Sequence, residues 1–126
     1  MASIGYKRLY PGPDGRSRLE EGLEIDMEIL DFSPPAPPFH VSPRASASAY
    51  AFLRLPAGFF GDWHVSPERQ WIFCLQGEME YEAGDGTRCV LSPGGYMLTE
   101  DTSGQGHRSR VIGEIDALLL AVQLEP

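Results

Sequence analysis

Two of the three histidines in this 126-residue chain stand where they could act on one molecule. His64 sits in Gly61-Asp62-Trp63-His64-Val65-Ser66. His107 ends the run Thr102-Ser103-Gly104-Gln105-Gly106-His107. Imidazole is a neutral nitrogen donor for metals and the side chain that exchanges protons most readily near pH 7. Near these two in sequence lie Ser66, Glu68, Gln70, Glu100 and Asp101. His64, His107 and the amide oxygen of Gln70 are the candidate metal donors. Glu68, Glu100 and Asp101 are auxiliary carboxylates. With Glu68 swung in, two histidines and one carboxylate would leave open positions on a transition metal. Asp101 could orient His107 or cap the turn at Thr102–Gly106 through its own backbone bonds, as aspartates in turns do. The cap is the expectation adopted. His40, among prolines, carries little functional weight.

These side chains can meet only if strands position them. Alternate residues of a strand face opposite ways. His64 and Ser66 then share one face, as do Gln70, Ile72 and Cys74. His107 and Ser109 face away from Arg108 and Arg110, and arginines prefer solvent. Three same-face sets, His64 with Ser66, Gln70 with Ile72 and Cys74, and His107 with Ser109, are what a shared pocket would draw on. Short strands are expected at Ala49–Leu55, Asp62–Ser66, Gln70–Gln76, Glu78–Glu82, Thr87–Leu91, Tyr96–Asp101, His107–Ile112 and Ile115–Gln123. Turns rich in Pro and Gly separate them. The 14 Gly and 11 Pro favour turns over helices. No stretch has the 3.6-residue period of an amphipathic helix.

The first 48 residues read differently. Residues 1–18 carry a net charge of +3 and residues 19–32 a net of -6. Leu23-Glu24-Ile25-Asp26-Met27-Glu28-Ile29 alternates apolar and acidic, as a half-buried strand does; a strand is expected over about 23–32. A solvated strand face explains the acids, and an edge that docks a basic partner is the alternative. Five prolines between Ser33 and Ser48 predict an extended arm, bracketed by Phe32 and Phe39. Residues 1–48 are thus read as an extension packed on a body formed by residues 49–126. The strand, the arm and the aromatics Phe32, Phe39, Phe59 and Phe60 need a covering surface, so a homodimer is expected.

From Ala49 to Gln123 the chain resembles the cupin superfamily of small jelly-roll barrels. That family's first motif runs Gly, five residues, His-x-His, three or four residues, Glu, six residues, Gly. Here His64 matches the first histidine and Gly77 the closing glycine. Ser66 stands at the second histidine and Gln70 at the glutamate, and Gly61 lies only three residues before His64. The second motif is similar to Pro93-Gly94-Gly95, then Tyr96–Asp101, then the loop to His107. The loop Asp101-Thr102-Ser103-Gly104-Gln105-Gly106-His107 resembles that of a small uncharacterised subgroup. The resemblance implies an all-β fold: one jelly-roll β-barrel preceded by a strand and a Pro-rich arm. It also implies a site for one divalent transition metal (Fe, Mn, Ni, Cu or Zn). Here the second histidine and the anionic ligand are replaced, so a metal-free polar cluster of His64, Ser66, Gln70 and His107 stands as the alternative.

The function this implies is binding of a small organic molecule in the barrel, with a metal-dependent oxygenase, isomerase or cyclase as one reading. A non-catalytic binding or accessory protein is the other. A formal charge of -8 argues against nucleic acid or an anionic membrane as partner. No apolar run approaches the length of a membrane helix. Met1–Tyr10 has no apolar signal core, and Cys74 and Cys89 make no disulfide framework, so a cytoplasmic setting is expected.

Overall fold

The computed structural model describes residues 2–126. Eleven strands form two sheets: β1 (Ala2–Pro11), β2 (Ser17–Leu30), β3 (Phe39–Val41), β4 (Ala47–Leu55), β5 (Phe60–His64), β6 (Gln70–Gln76), β7 (Glu78–Glu82), β8 (Arg88–Leu91), β9 (Tyr96–Thr99), β10 (His107–Ile112) and β11 (Ala117–Leu124). The larger sheet has the order β3-β2-β1-β9-β6-β11-β4 and the smaller β5-β10-β7-β8. Among the described residues there is no helix, and hence none able to cross a membrane. The all-β jelly-roll expectation is met.

Period-two patterning places the core between the sheets. In β7, Met79 and Tyr81 point inward and are 1% and 4% exposed, while the three glutamates between and beside them reach solvent or its edge. Ile72 and Cys74 of β6 meet Met97 of β9 and Leu119 of β11 in the same buried cluster. Each such side chain contributes about 1.5–3 kcal/mol by leaving water.

The N-terminal region departs from expectation. The strand expected over 23–32 is the second half of a long hairpin, β1 with β2, paired from Ala2↔Met27 to Pro11↔Ser17. β1 has no clean alternation because it runs from the barrel out along the projecting arm. It joins the body through short parallel pairing with β9, at Arg8↔Leu98 and Leu9↔Thr99. The Pro-rich stretch is not uniformly extended coil. Phe39-His40-Val41 lacks proline, keeps its donors and pairs with β2.

Candidate functional site

β5 and β10 pair antiparallel in the smaller sheet, and their register sets His107 opposite His64. The two imidazole centroids are 4.6 Å apart. Both line a cavity of about 140 Å³ at the barrel mouth, together with Ser66, Gln70, Ile72, Tyr81 and Ser109. The strands thus bring most of the expected pocket to one place.

The hydrogen bonds assign roles within it. His107 is 5% exposed, and its Nδ1 lies 2.6 Å from Oδ2 of Asp101, which is fully buried. Ser66 Oγ donates to the other carboxylate oxygen, Oδ1, at 2.8 Å. Asp101 therefore does not spend its side chain on the turn. Tertiary packing brings it a serine and a histidine, and two charge-assisted bonds outweigh a local cap. His64 Nδ1 lies 2.6 Å from the carbonyl of Asp62. A carbonyl and a carboxylate only accept, so each Nδ1 carries the proton. In the neutral ring this fixes the tautomer, with the lone pair on Nε2 at the opposite side. The site holds two neighbouring bases, one backed by a buried carboxylate.

The other expected residues lie elsewhere. Glu68 is exposed in its turn. Glu100 is held by Arg8 at 3.2 Å and Arg69 at 2.5 Å. Cys74 does not line the cavity; its Sγ donates to the Gly77 carbonyl at 3.3 Å, because β6 carries it deeper into the core. His40 is exposed on β3.

A divalent ion placed here would meet two imidazole nitrogens and one amide oxygen, all neutral. The buried carboxylate beside them already accepts two hydrogen bonds. Among the described residues no three His, Cys, Asp or Glu side chains cluster closely enough to hold a metal ion. This donor set does not fit a charge-compensated transition-metal centre.

Two contributors escape the motif reading. Tyr81 lies with its ring centroid 5.7 Å from that of His107, and burial raises its phenol well above the ordinary tyrosine range, so the hydroxyl stays protonated. The alternation in β7 is the signal for its inward face. Ser17 accepts from the Gly84 amide at 2.8 Å and donates to the Gly106 carbonyl at 2.7 Å. It ties the N-terminal hairpin to the loop that delivers His107, and no local pattern announces it.

The cysteines are free. Burial pushes the Cys89 thiol up to about 11 and also raises that of Cys74. At pH 8 Cys89 should form thiolate about 100-fold less than an ordinary thiol and react correspondingly slowly. Titration with a chromogenic disulfide should find both thiols slow in the native protein and fast in guanidinium. Rapid native reaction would contradict this.

The Cupin domain family description matches residues 51–123, more than half of the chain. No curated protein matches it. Among solved structures, the Schizosaccharomyces pombe Cnp3 cupin domain is 14% identical, with 99% of this chain and 86% of that one covered and a TM-score of 0.50. The dTDP-6-deoxy-D-glucose-3,5-epimerase RmlC of Legionella pneumophila is 10% identical, with 96% and 73% covered and a TM-score of 0.47. The iron(II) form of HppE with substrate is 21% identical, with 60% and 44% covered and a TM-score of 0.46. At these identities the likeness concerns the fold alone.

Proposed function

The chain belongs to the cupin domain family, and from that premise we propose that it binds a small carbonyl compound at the barrel mouth and moves a proton on it without a metal. One observation carries this reading: the 2.6 Å bond from His107 Nδ1 to the buried carboxylate of Asp101, which leaves Nε2 as a base in the cavity. The carboxylate fixes the tautomer and stabilises the imidazolium that forms, as in other base-orienter pairs.

The step balances as follows. Nε2 of His107 takes a proton from the carbon beside the carbonyl. The C–H bond breaks, an N–H bond forms, and the electron pair moves onto the carbonyl oxygen as an enolate. Gln70 offers amide donors to that oxygen. His64 is exposed at the rim; once its Nε2 has taken a proton from solvent it can give that proton to the enolate, at a second position for isomerisation or at the same carbon from the opposite face for epimerisation, while His107 releases the abstracted proton to solvent. The net chemistry is isomerisation or epimerisation. The cavity of about 140 Å³ is smaller than a drug-sized pocket, which restricts the ligand to a few heavy atoms.

Deuterium exchange tests the reading directly. Small ketones and 2-oxo acids are incubated with the protein in heavy water, and label at the carbon beside the carbonyl is followed by mass spectrometry. Incorporation should survive chelation and fall roughly 10²- to 10⁴-fold in His107→Gln. Exchange abolished by a chelator and restored by iron or manganese would establish the metal reading instead. No His107-dependent exchange, with ligands still shifting the histidine resonances, would leave a binding protein without catalysis.

A further inference from the structure

The cavity that holds the two histidines has two unlike walls. The smaller sheet supplies a polar one. His64 and His107 pair across β5 and β10, and Ser109 is the next inward position of β10. The larger sheet stands opposite with β4 and β11. Register sets Leu53 against Leu119 and Leu55 against Ala117, and the three leucines line the cavity. Phe59, in the turn before β5, adds an aromatic ring to the lining.

Charge is distributed around this cavity in one sense only. Among the described residues, no lysine or arginine lines it. Arg108 alternates with His107 and Ser109, so it points to the outer face, where Glu82 accepts from it at 3.0 and 3.2 Å. Arg110 lies likewise, 2.8 Å from Glu80. Arg69 is bound to Glu100 at 2.5 Å. Arg54, between Leu53 and Leu55 on β4, takes the reverse face. The charge beside the reacting atoms is negative: the Asp101 carboxylate, 2.6 Å from His107 Nδ1.

That charge selects among carbonyl compounds. A carboxylate or phosphate entering the cavity would give up its water with no cation to receive it, and would meet a second anion close by. Reaction makes this worse. An uncharged ketone yields an enolate of charge -1, which the His107 imidazolium balances, whereas a 2-oxo acid would yield a dianion. An ammonium ligand fares no better, since it would sit beside the ring that must gain a proton. We infer that the substrate is an uncharged aliphatic ketone or aldehyde, its carbonyl toward the histidines and its alkyl chain along Leu53, Leu55 and Leu119. The carbonyl rests on the proton-transfer reading above; the absence of ligand charge rests on the cavity itself.

Pyruvamide and pyruvate test it, being methyl ketones of equal size that differ in charge. Each is titrated against the ring resonances of His64 and His107, which reads affinity whether or not chemistry follows. Each is also assayed for deuterium exchange, with the rate divided by that of free imidazole on the same compound. Pyruvamide should bind at least about tenfold more tightly and exchange faster in the same proportion. From propanone to butanone to 2-pentanone, each methylene that reaches the leucines should tighten binding about fourfold. Leu53→Arg places a cation on the apolar wall at a position already 38% exposed, where the long side chain can be accommodated. It should raise pyruvate binding about tenfold or more. Pyruvate bound by the wild type as tightly as pyruvamide overturns the inference, as does binding of neither, or an affinity indifferent to chain length. Tighter binding of pyruvamide with no exchange of either compound would fell the proton-transfer reading and leave the uncharged ligand standing.

Discussion

Replacing Asp101 with alanine should lower the melting temperature by roughly 10–20 °C. The carboxylate is fully buried and holds two partners, Ser66 Oγ at 2.8 Å and His107 Nδ1 at 2.6 Å. Its removal leaves a hydroxyl and an imidazole N–H stranded where water is scarce. Two hydrogen bonds to a charged group are lost, each worth about 1.5–3 kcal/mol, and two buried donors are left without an acceptor. Asp101→Asn separates stability from chemistry. Asparagine keeps the volume and one acceptor, so much of the melting temperature should return. It cannot accept from both partners at once, and it does not stabilise the imidazolium. Deuterium exchange should therefore stay about 10²- to 10⁴-fold down in Asp101→Asn. Thermal melts of both variants, run beside the exchange assay, check the two halves. A stable Asp101→Ala protein would mean that the pair holds nothing together. Full exchange in Asp101→Asn would remove the carboxylate from the mechanism.

The part of this site legible in the sequence is the part governed by short-range rules. Alternation in β6, β7 and β10 sets which side chains share a face, and that parity joined to the cupin resemblance placed Gln70, Ile72, His107 and Ser109 together. Turn residues mark most strand ends to within two or three positions. What escaped depends on contacts between distant segments. β1 attaches to the barrel through two residue pairs with β9, and neither strand announces the other. Ser17 and Gly106 are 89 positions apart. The role of Asp101 was hidden differently. An aspartate at the head of a Gly-rich loop has an adequate local explanation as a turn cap, and only the arrival of Ser66 and His107 displaces it. Ser66 illustrates the same point from the family pattern. Read as a replaced metal ligand it looks like a loss, whereas in the fold its hydroxyl holds the carboxylate that holds the histidine.

The closeness of the two histidines should depend on a single missing methyl group. Gly106 precedes His107 with φ of +78°, and a Cβ built there would lie 1.9 Å from the carbonyl oxygen of His64 and 2.6 Å from the Val65 nitrogen. Those atoms are backbone at the end of β5 and cannot rotate away. In Gly106→Ala the end of β5 must therefore separate from β10, at the one register position where His64 faces His107. The left-handed conformation adds about 1–2 kcal/mol for any residue with a Cβ. With the clash the total should reach at least about 3 kcal/mol, in the range that marks a specific structural fault rather than an average substitution. Gly113→Ala isolates the conformational part. Its φ is +86° and nothing lies within 4 Å of the added atom, so only about 1–2 kcal/mol is expected. Denaturant titration of the two variants gives the difference. Contacts between the ring protons of His64 and His107, read by nuclear magnetic resonance, should vanish in Gly106→Ala and persist in Gly113→Ala. Equal destabilisation with the ring contacts intact in both would show that the two strands have room to spare, and that the pairing of the histidines does not rest on this close approach.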